Sequence, residues 1–518
     1  MTKSAWLRTL GSLAMGLAIF SAAAAQAQLR VAAWNISNYS GGRTADIQAA
    51  VYGVYQDRAL LPDAILCQEF LSASAVTAFV SALNTAPNSP GDWAGATFVD
   101  GPDTDSAFVY RTSKLTLLGV TVVATGGVSP NHPRNIMRYD VRLQGYAGPG
   151  ATLACYSTHM KAGTTSEDQA RRLLEAQRIR DDAEALDPAW SFVVGGDFNI
   201  QSSTQAAYQE LVGLQANNAG RFFDPIATPG SWNNNAAFRF VHTQDPIGAG
   251  GMDDRHDQLL LGGDLVDGDG FDYLGDATVP YSTTTWDDPN HSYRAWGNDG
   301  TTFNTTLAVA SNQMVGPAIA QALINIAASA GHLPVFLDLR VPAQVGADSI
   351  VDFGQVPQGA VAEQPLAVWN AGDVALWTAA GIADLCYSLS ASSGFAAPAG
   401  QFCALADAVG NVHTLTMDTT TVGAKLGTVT VASNAADEPV RVVTLVGEVV
   451  ADGSLSGDLN CDGEVSFRDI NPFIMALTDP PGWQVAYPGC PPANGDANGD
   501  GSVDFRDINP FILLLAGS

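Results

Sequence analysis

The apolar run Phe192-Val193-Val194 passes through Gly195-Gly196 into Asp197-Phe198-Asn199. Such a run, punctuated by paired glycines, reads as a buried strand that stops at a polar edge. Side chains alternate along a strand, so Asp197 and Asn199 project to the same side at its C-terminal end. A carboxylate there can hold a metal or orient a water, and the amide beside it can hydrogen-bond a phosphate oxygen. The same residues also suit a plain turn, because Asp, Asn and Gly are turn formers. Other polar strand ends along the chain narrow that choice.

Over residues 29–342, apolar strands alternate with amphipathic helices. Strands are expected at 29–36, 64–67, 107–110, 115–123, 152–157, 192–194 and 333–339. Ser166-Glu167-Asp168-Gln169 reads as a capping box opening a helix to about Leu186, and a second helix covers 317–328. This alternation is the mark of an α/β domain, assigned to 28–342. The Asn-, Gly- and Asp-rich stretches between 201 and 332 read as loops or insertions. From about 345 helical periodicity stops, and short Thr-, Val- and Ser-rich strands alternate with Gly and Asn turns. Residues 343–452 therefore read as an all-β sandwich, similar to the immunoglobulin-like modules of secreted bacterial enzymes, with the role of a spacer.

Export is read from the N-terminus. Lys3 and Arg8 precede an apolar stretch and Ala25-Gln26-Ala27, so 1–27 is expected to be a signal peptide, and no other segment is long enough to span a bilayer. The mature protein is expected to be secreted or associated with the cell surface. Six cysteines agree with an oxidising compartment. The pairs Cys386/Cys403 and Cys461/Cys490 each fall within one expected domain and are read as disulfides. Cys67 and Cys155 lie in apolar strands and read as buried thiols, a third bridge being the other option. The net charge of −28 disfavours long polyanionic substrates, although a bound divalent metal would add local positive charge.

The tail, 453–518, repeats itself. Gly457-Asp458-Leu459-Asn460-Cys461-Asp462-Gly463 is echoed by Gly495-Asp496-Ala497-Asn498-Gly499-Asp500-Gly501, each followed by Phe-Arg-Asp-Ile-Asn-Pro-Phe-Ile. Calcium loops take oxygen ligands at positions 1, 3, 5 and 12 with Gly at 6. Asp458, Asn460, Asp462 and Asp469 fill those positions in the first repeat, and Asp496, Asn498, Asp500 and Asp507 in the second. The segment resembles a type I dockerin, a small α module with two Ca²⁺ loops. That resemblance implies a cohesin-like receptor, read by Phe467, Arg468, Phe505 and Arg506.

The polar strand ends of the first domain form an ordered set: Asn35, Glu69, His159, Asp197, Asn199, Asp257 and His332. Carboxylates, amides and histidines gathered at strand termini fit an active site on one rim of a sheet. The set resembles the endonuclease/exonuclease/phosphatase superfamily, through Gly-Asp-Phe-Asn at 196–199, Gln-Glu at 68–69, Thr-His at 158–159 and His-Leu-Pro-Val at 332–335. The resemblance implies a four-layer α/β sandwich of two packed sheets flanked by helices, hydrolysing phosphoesters with Mg²⁺ or Mn²⁺. It implies Glu69 and Asn35 at the metal, Asp257 at the metal or supporting the site from behind it, and His332 as general base. Asp197 would orient the water or contribute to metal binding, Asn199 and His159 would bind phosphoryl oxygens, and His159 is also a candidate to protonate the leaving group. One departure stands out: Gly331 precedes His332 where the superfamily has Asp. Either another acid, such as Asp299, Asp287 or Asp288, replaces that carboxylate, or the domain is a weak or decayed enzyme. The expected function is a secreted metal-dependent phosphodiesterase, with a nuclease foremost. Its alternatives are a hydrolase of phospholipid head groups or small phosphoesters, and a non-catalytic adhesion or scaffold protein.

Overall fold

The computed structural model describes residues 28–517 except 249, 329–330 and 452–454. The signal peptide expected at 1–27 lies outside the described residues. In chain order the first domain runs β1 Leu29–Tyr39, α1 Thr44–Tyr52, β2 Ala64–Phe70, α2 Ala73–Asn84, β3 Trp93–Gly95, β4 Asp105–Arg111, β5 Leu115–Ala124 and β6 Ile136–Leu143. It continues β7 Thr152–His159, α3 Ser166–Glu184, β8 Ser191–Asp197, α4 Ala206–Val212, β9 Phe222–Phe223, β10 Asp257–Gly262, β11 Asp272–Tyr273, β12 Arg294–Ala295, α5 Gly316–Ala327 and β13 Val335–Arg340. One sheet has the order β11-β13-β1-β2-β4-β3 with β12 also on β13, and the other the order β5-β6-β7-β8-β10-β9.

Strand β1 is buried on both faces, and its alternation sorts its side chains into two cores. Leu29, Val31 and Ala33 meet Leu66, Tyr139, Cys155, Val193 and Leu259 between the sheets. Ala32 and Trp34 turn outward to α1, α2 and α5 through Val51, Phe79 and Leu323. On the far side, α3 and α4 cover the second sheet through Ile179 and Leu211. The layers are thus helix, sheet, sheet, helix.

The paired glycines of β8 allow that stacking. A Cβ at Gly195 would stand 2.7 Å from Leu259 and 2.9 Å from Leu66, so the sheets close over a bare backbone. Gly196 has φ 147°, and a Cβ there would lie 1.9 Å from the Thr158 carbonyl oxygen. Only glycine lets β7 and β8 approach this closely.

Several elements differ from the sequence expectations. Thr165, not Ser166, caps α3: its hydroxyl accepts from Asp168 N–H, and the Asp168 carboxylate accepts from Thr165 N–H. Strand β6 carries Arg138, Asp140 and Arg142, which break its apolar run and hide it from a pattern search. Arg138 pairs with Asp140 at 2.8 Å and Asp182 at 2.5 Å, so the charges are matched across the sheet surface. Strand β10 emerges from the stretch read as loops.

The following segment forms a four-stranded and a five-stranded sheet around a common core that includes Leu366, Tyr387, Val431 and Leu445. It is packed hard against the first domain rather than standing off as a spacer. Trp377 is fully buried and extends the apolar cluster that fills the space between the first domain's sheets. Its indole N–H donates to Gln144 O at 3.2 Å, and Lys114 Nζ sits 4.3 Å from the ring centre. Asp437 accepts from the N–H groups of Ala147 at 3.0 Å and Gly148 at 2.6 Å. Disulfides join Cys386 to Cys403 and Cys461 to Cys490, while Cys67 and Cys155 are free and buried.

In the tail each repeat forms a loop, a single 3₁₀ turn and a helix, Ile470–Thr478 and Ile508–Gly517. Phe473 and Phe511 hold equivalent places in the two repeats and stack on each other at 4.1 Å. No helix among the described residues is long and apolar enough to cross a membrane.

Candidate active site

Strand direction assembles the site. In one sheet β1 and β2 run parallel, and in the other β7 and β8 do, so four strand ends reach the same rim. They deliver Asn35, Glu69, His159 and Asp197. Strands β10 and β13 run antiparallel to these neighbours, so their beginnings reach that rim and deliver Asp257 and His332. Asp197 is in register with His159 on one side and Asp257 on the other. The Asn35 amide donates to Glu69 Oε1 at 3.1 Å and Asp197 Oδ2 at 3.2 Å. His159 Nε2 lies 3.3 Å and His332 Nε2 3.5 Å from that same Asp197 oxygen.

Asp257, expected at the metal or supporting the site from behind it, stands behind the histidine: its Oδ2 lies 2.6 Å from His332 Nδ1. The Thr243 hydroxyl donates to that same oxygen at 2.7 Å. Asp257 is thus the acid that fixes the imidazole, with Nδ1 carrying the proton toward it and Nε2 facing Asp197. The other acids considered for this task are engaged elsewhere. Asp299 accepts from Thr301 and Gln313 N–H groups, Asp287 pairs with Arg294, and Asp288 accepts from Ser282 and Asn290 N–H groups. Gly331 leaves no room for a side chain, because a Cβ there would fall 2.2 Å from the Ala327 carbonyl oxygen.

Two residues hold strained backbones. Glu69 has φ 63° beside a bulge in β2, and Asn199 has φ 51° just past β8. Such conformations persist where surrounding contacts over-determine them. Asn38 N–H donates to Glu69 Oε2 at 2.8 Å. The Asn199 amide donates to Met160 O at 3.0 Å, which commits one of the N–H groups expected to meet a phosphoryl oxygen.

Burial and neighbouring charge push the two histidines apart. Burial lowers His159 to about 4, so it stays neutral at ordinary pH. Burial would lower His332 also, but Asp257 and Asp197 outweigh it and raise it to about 10. Burial alone would raise Asp197, yet the charges of His332 and His159 bring it to about 2. A neutral and a charged imidazole therefore share one ionised carboxylate. Divergent titration within one cluster marks acid and base roles.

Thr243, Arg134 and Glu175 complete the arrangement and were missed by sequence reasoning. Arg134 donates to the His159 carbonyl at 3.3 Å, and the Thr158 hydroxyl donates to Glu175 at 3.0 Å. Of the three, only Glu175 leaves a trace in sequence, as a charge at i−4 from Ile179 on the buried face of α3.

Glu69 and Asp197 offer hard carboxylate oxygens at one point of the rim, bridged by the Asn35 amide N–H groups, while Asn35 Oδ1 accepts from Ser37 N–H at 3.0 Å. Among the described residues no three of His, Cys, Asp or Glu are grouped to hold a metal ion. That donor set still fits Mg²⁺, which keeps several waters and binds through one or two carboxylates. In the tail, Asp458 accepts from Asp462 and Gly463 N–H groups, and Asp469 from Leu459 and Asn460 N–H groups. In the second loop Asp496 accepts from Asp500 and Gly501 N–H groups, and Asp507 from Asn498 N–H. Gly463 and Gly501 have φ 91° and 85°, the left-handed region that favours glycine at a sharp turn.

No family model matches the chain, and none of the curated proteins matches it. Among solved structures it is similar to an endonuclease/exonuclease/phosphatase from Beutenbergia cavernae, at 15% identity over 81% of this chain and 100% of that one, TM-score 0.34. It is similar to D. rerio TDP2 complexed with a single-strand DNA product, at 13% identity over 61% and 99%, TM-score 0.33. The human Nocturnin catalytic domain gives 14% identity over 61% and 94%, TM-score 0.33.

Proposed function

We propose that the first domain is a metal-dependent phosphodiester hydrolase of the endonuclease/exonuclease/phosphatase type. The observation that carries this is the file of groups Asp257, His332, Asp197 and His159, closed by Asn35 and Glu69. Asp257 orients His332 and supports its positive charge. Asp197, ionised at any physiological pH, holds the attacking water toward phosphorus and takes its proton, while the charged His332 beside it has a proton to give to the leaving oxygen. His159, neutral and buried, hydrogen-bonds a non-bridging oxygen, and the free Asn199 N–H assists it. Glu69 and Asp197 would hold Mg²⁺ or Mn²⁺, with Asn35 fixing the two carboxylates, and the ion would supply positive charge against the phosphoryl oxygens and the leaving group. The net charge of −28 favours small phosphodiesters over nucleic acid strands as substrates.

The tail is read as a dockerin-like module that binds Ca²⁺ and docks to a cohesin-like receptor, tethering a secreted enzyme. Its support is a matched pair of exposed side chains, Phe467 at 79% and Phe505 at 71%. The assay is a panel of bis(p-nitrophenyl) phosphate, single- and double-stranded DNA, RNA and sphingomyelin, with Mg²⁺, Mn²⁺ or EDTA. Turnover of the small diester with metal, abolished by EDTA, is the expected result. Activity that survives Asp197→Ala would refute the site.

A further inference from the structure

The two repeats of the tail match in sequence but are not held alike. Both loops are shaped by their own carboxylates, and only the first is also clamped from outside. At the fourth loop position the second repeat has Gly499, with φ 74°, where the first has Cys461, with φ 55°. Glycine takes this left-handed conformation freely, whereas a cysteine takes it where its surroundings impose it. The disulfide to Cys490 supplies that constraint. The segment around Cys490 also grips the backbone just before Cys461. Asn494 Nδ2 donates to Asp458 O at 2.7 Å, and Trp483 Nε1 donates to Leu459 O at 3.0 Å. Asp458, Leu459, Trp483 and Cys490 are all buried.

The clamped backbone governs the rest of the first loop. Asp469 Oδ1 accepts from the Leu459 and Asn460 N–H groups at 2.9 and 3.0 Å, and its Oδ2 accepts from Ser466 N–H at 2.9 Å. Asp469 closes the turn that presents Phe467 and Arg468 to solvent. The disulfide is thus linked to that exposed turn through the 458–461 backbone and one carboxylate. In the second repeat Asp507 accepts from Asn498 and Asp504 N–H groups in the same way, but Gly499 offers no anchor. The Asp496 carbonyl accepts from the Ser456 hydroxyl at 3.3 Å, and Asn498, Gly499 and Asp500 are exposed.

The disulfide can be reached from solvent. A cleft of about 450 Å³ lies beside it, lined by residues 486–490 with Asn460 and Cys461. Cys461 is half-buried, while Cys490 behind it is buried.

We infer that the Cys461–Cys490 disulfide is a thiol-opened lock on the first repeat. Closed, it fixes loop 458–469 and the Phe467–Arg468 turn; open, it leaves the first repeat as loose as the second. A dithiol opens it by attack of a thiolate on Cys461 Sγ, which forms a mixed disulfide and expels Cys490 as a thiolate. The second sulfur of the dithiol then displaces Cys461. Both cysteines end as thiols with two electrons and two protons gained, and the dithiol ends as its own disulfide. The lock needs neither a bound cation nor a receptor, so it stands or falls apart from the docking reading.

The test is hydrogen exchange on the full chain in EDTA, with and without excess dithiothreitol, comparing 458–469 with 496–507. Alkylation of the released thiols, read by peptide mass, reports the opening. The first loop is expected to exchange about tenfold more slowly than the second while oxidised, and at the same rate once opened. The double variant Cys461→Gly, Cys490→Ala should reproduce the open state without the reagent, which separates this disulfide from Cys386–Cys403. Unchanged exchange in 496–507 of that variant shows that the tail keeps its fold. Equal exchange of the two loops in the oxidised protein overturns the inference, as does protection of 458–469 that survives in the variant. A disulfide that dithiothreitol leaves closed overturns it too. Protection lost from both loops together marks a general brace of the tail, which also contradicts a lock on one repeat.

Discussion

Two parts of this protein, the rim around Asp197 and the tail loops, bring carboxylates together, and they are stabilised in opposite ways. In the tail, Asp458, Asp469, Asp496 and Asp507 accept from peptide N–H groups no more than ten residues away. Each loop holds its own charge, so its shape follows from a dozen consecutive residues. At the rim, Asp197 faces His159, His332 and Asn35, which come from three other strands. Asp257 reaches His332 across 75 positions of chain. There the sheets hold the charges together, and the site is only as well formed as the stacking beneath it.

The largest expected effect follows from that dependence. His332→Ala removes a proton-transfer group whose neighbours were placed by separate strands, and turnover should fall about 10²–10⁴-fold at unchanged fold, read by steady-state kinetics with circular dichroism as control. Asp257→Asn should lose much of the same rate, because the amide cannot support an imidazolium. Retention of full activity in Asp257→Asn would break the contrast, since the rim would then not depend on long-range partners.

Gly196→Ala comes next. The added Cβ meets the Thr158 carbonyl at 1.9 Å, and a φ of 147° suits glycine. A loss of about 3 kcal/mol in stability and at least a tenfold loss in kcat are expected as β7 shifts from β8. Thermal unfolding and kinetics on the same sample would show both. In the tail, Asp469→Ala should cost about 1–3 kcal/mol locally and leave turnover unchanged. Hydrogen exchange should then rise in 458–478 alone, and spread into the first domain would contradict the local account.

The smallest effect concerns Glu175, whose carboxyl burial raises to about 8 from an ordinary 4.5. Below pH 4.5 it is protonated in both folded and unfolded chains, and its contribution is fully present. Between about 4.5 and 8 the unfolded chain releases the proton while the folded one keeps it, so stability falls as pH rises. Glu175→Gln should flatten that fall, as measured by denaturant midpoints from pH 4.5 to 8.5.

The same contrast explains what could be read in advance. That the tail folds as two matching loop-and-helix units was legible because its sequence repeat is local. The strands carrying Glu69, His159 and Asp197 were legible because each ends an apolar run at a polar residue. The partner of His332 was not, since Asp257 begins a strand inside an Asn- and Gly-rich stretch where no periodicity announces it. The acids considered instead, Asp299, Asp287 and Asp288, turn out to brace their own loops. Thr243 gave no signal, for a threonine hydroxyl acquires its meaning only beside the carboxylate it donates to. The tight packing of the sandwich was hidden likewise, because a lone tryptophan in sequence does not say which module it packs against, and Trp377 is buried against Gln144 and Lys114 of the first domain.

The central claim is that the rim hydrolyses phosphodiesters through groups centred on Asp197. Its most direct test is the rate of bis(p-nitrophenyl) phosphate hydrolysis, with Mg²⁺ and with EDTA, for the native protein and Asp197→Asn. The account predicts turnover that needs the metal and drops at least a hundredfold in the variant. Turnover that persists in EDTA, or that is equal in the two proteins, would contradict it.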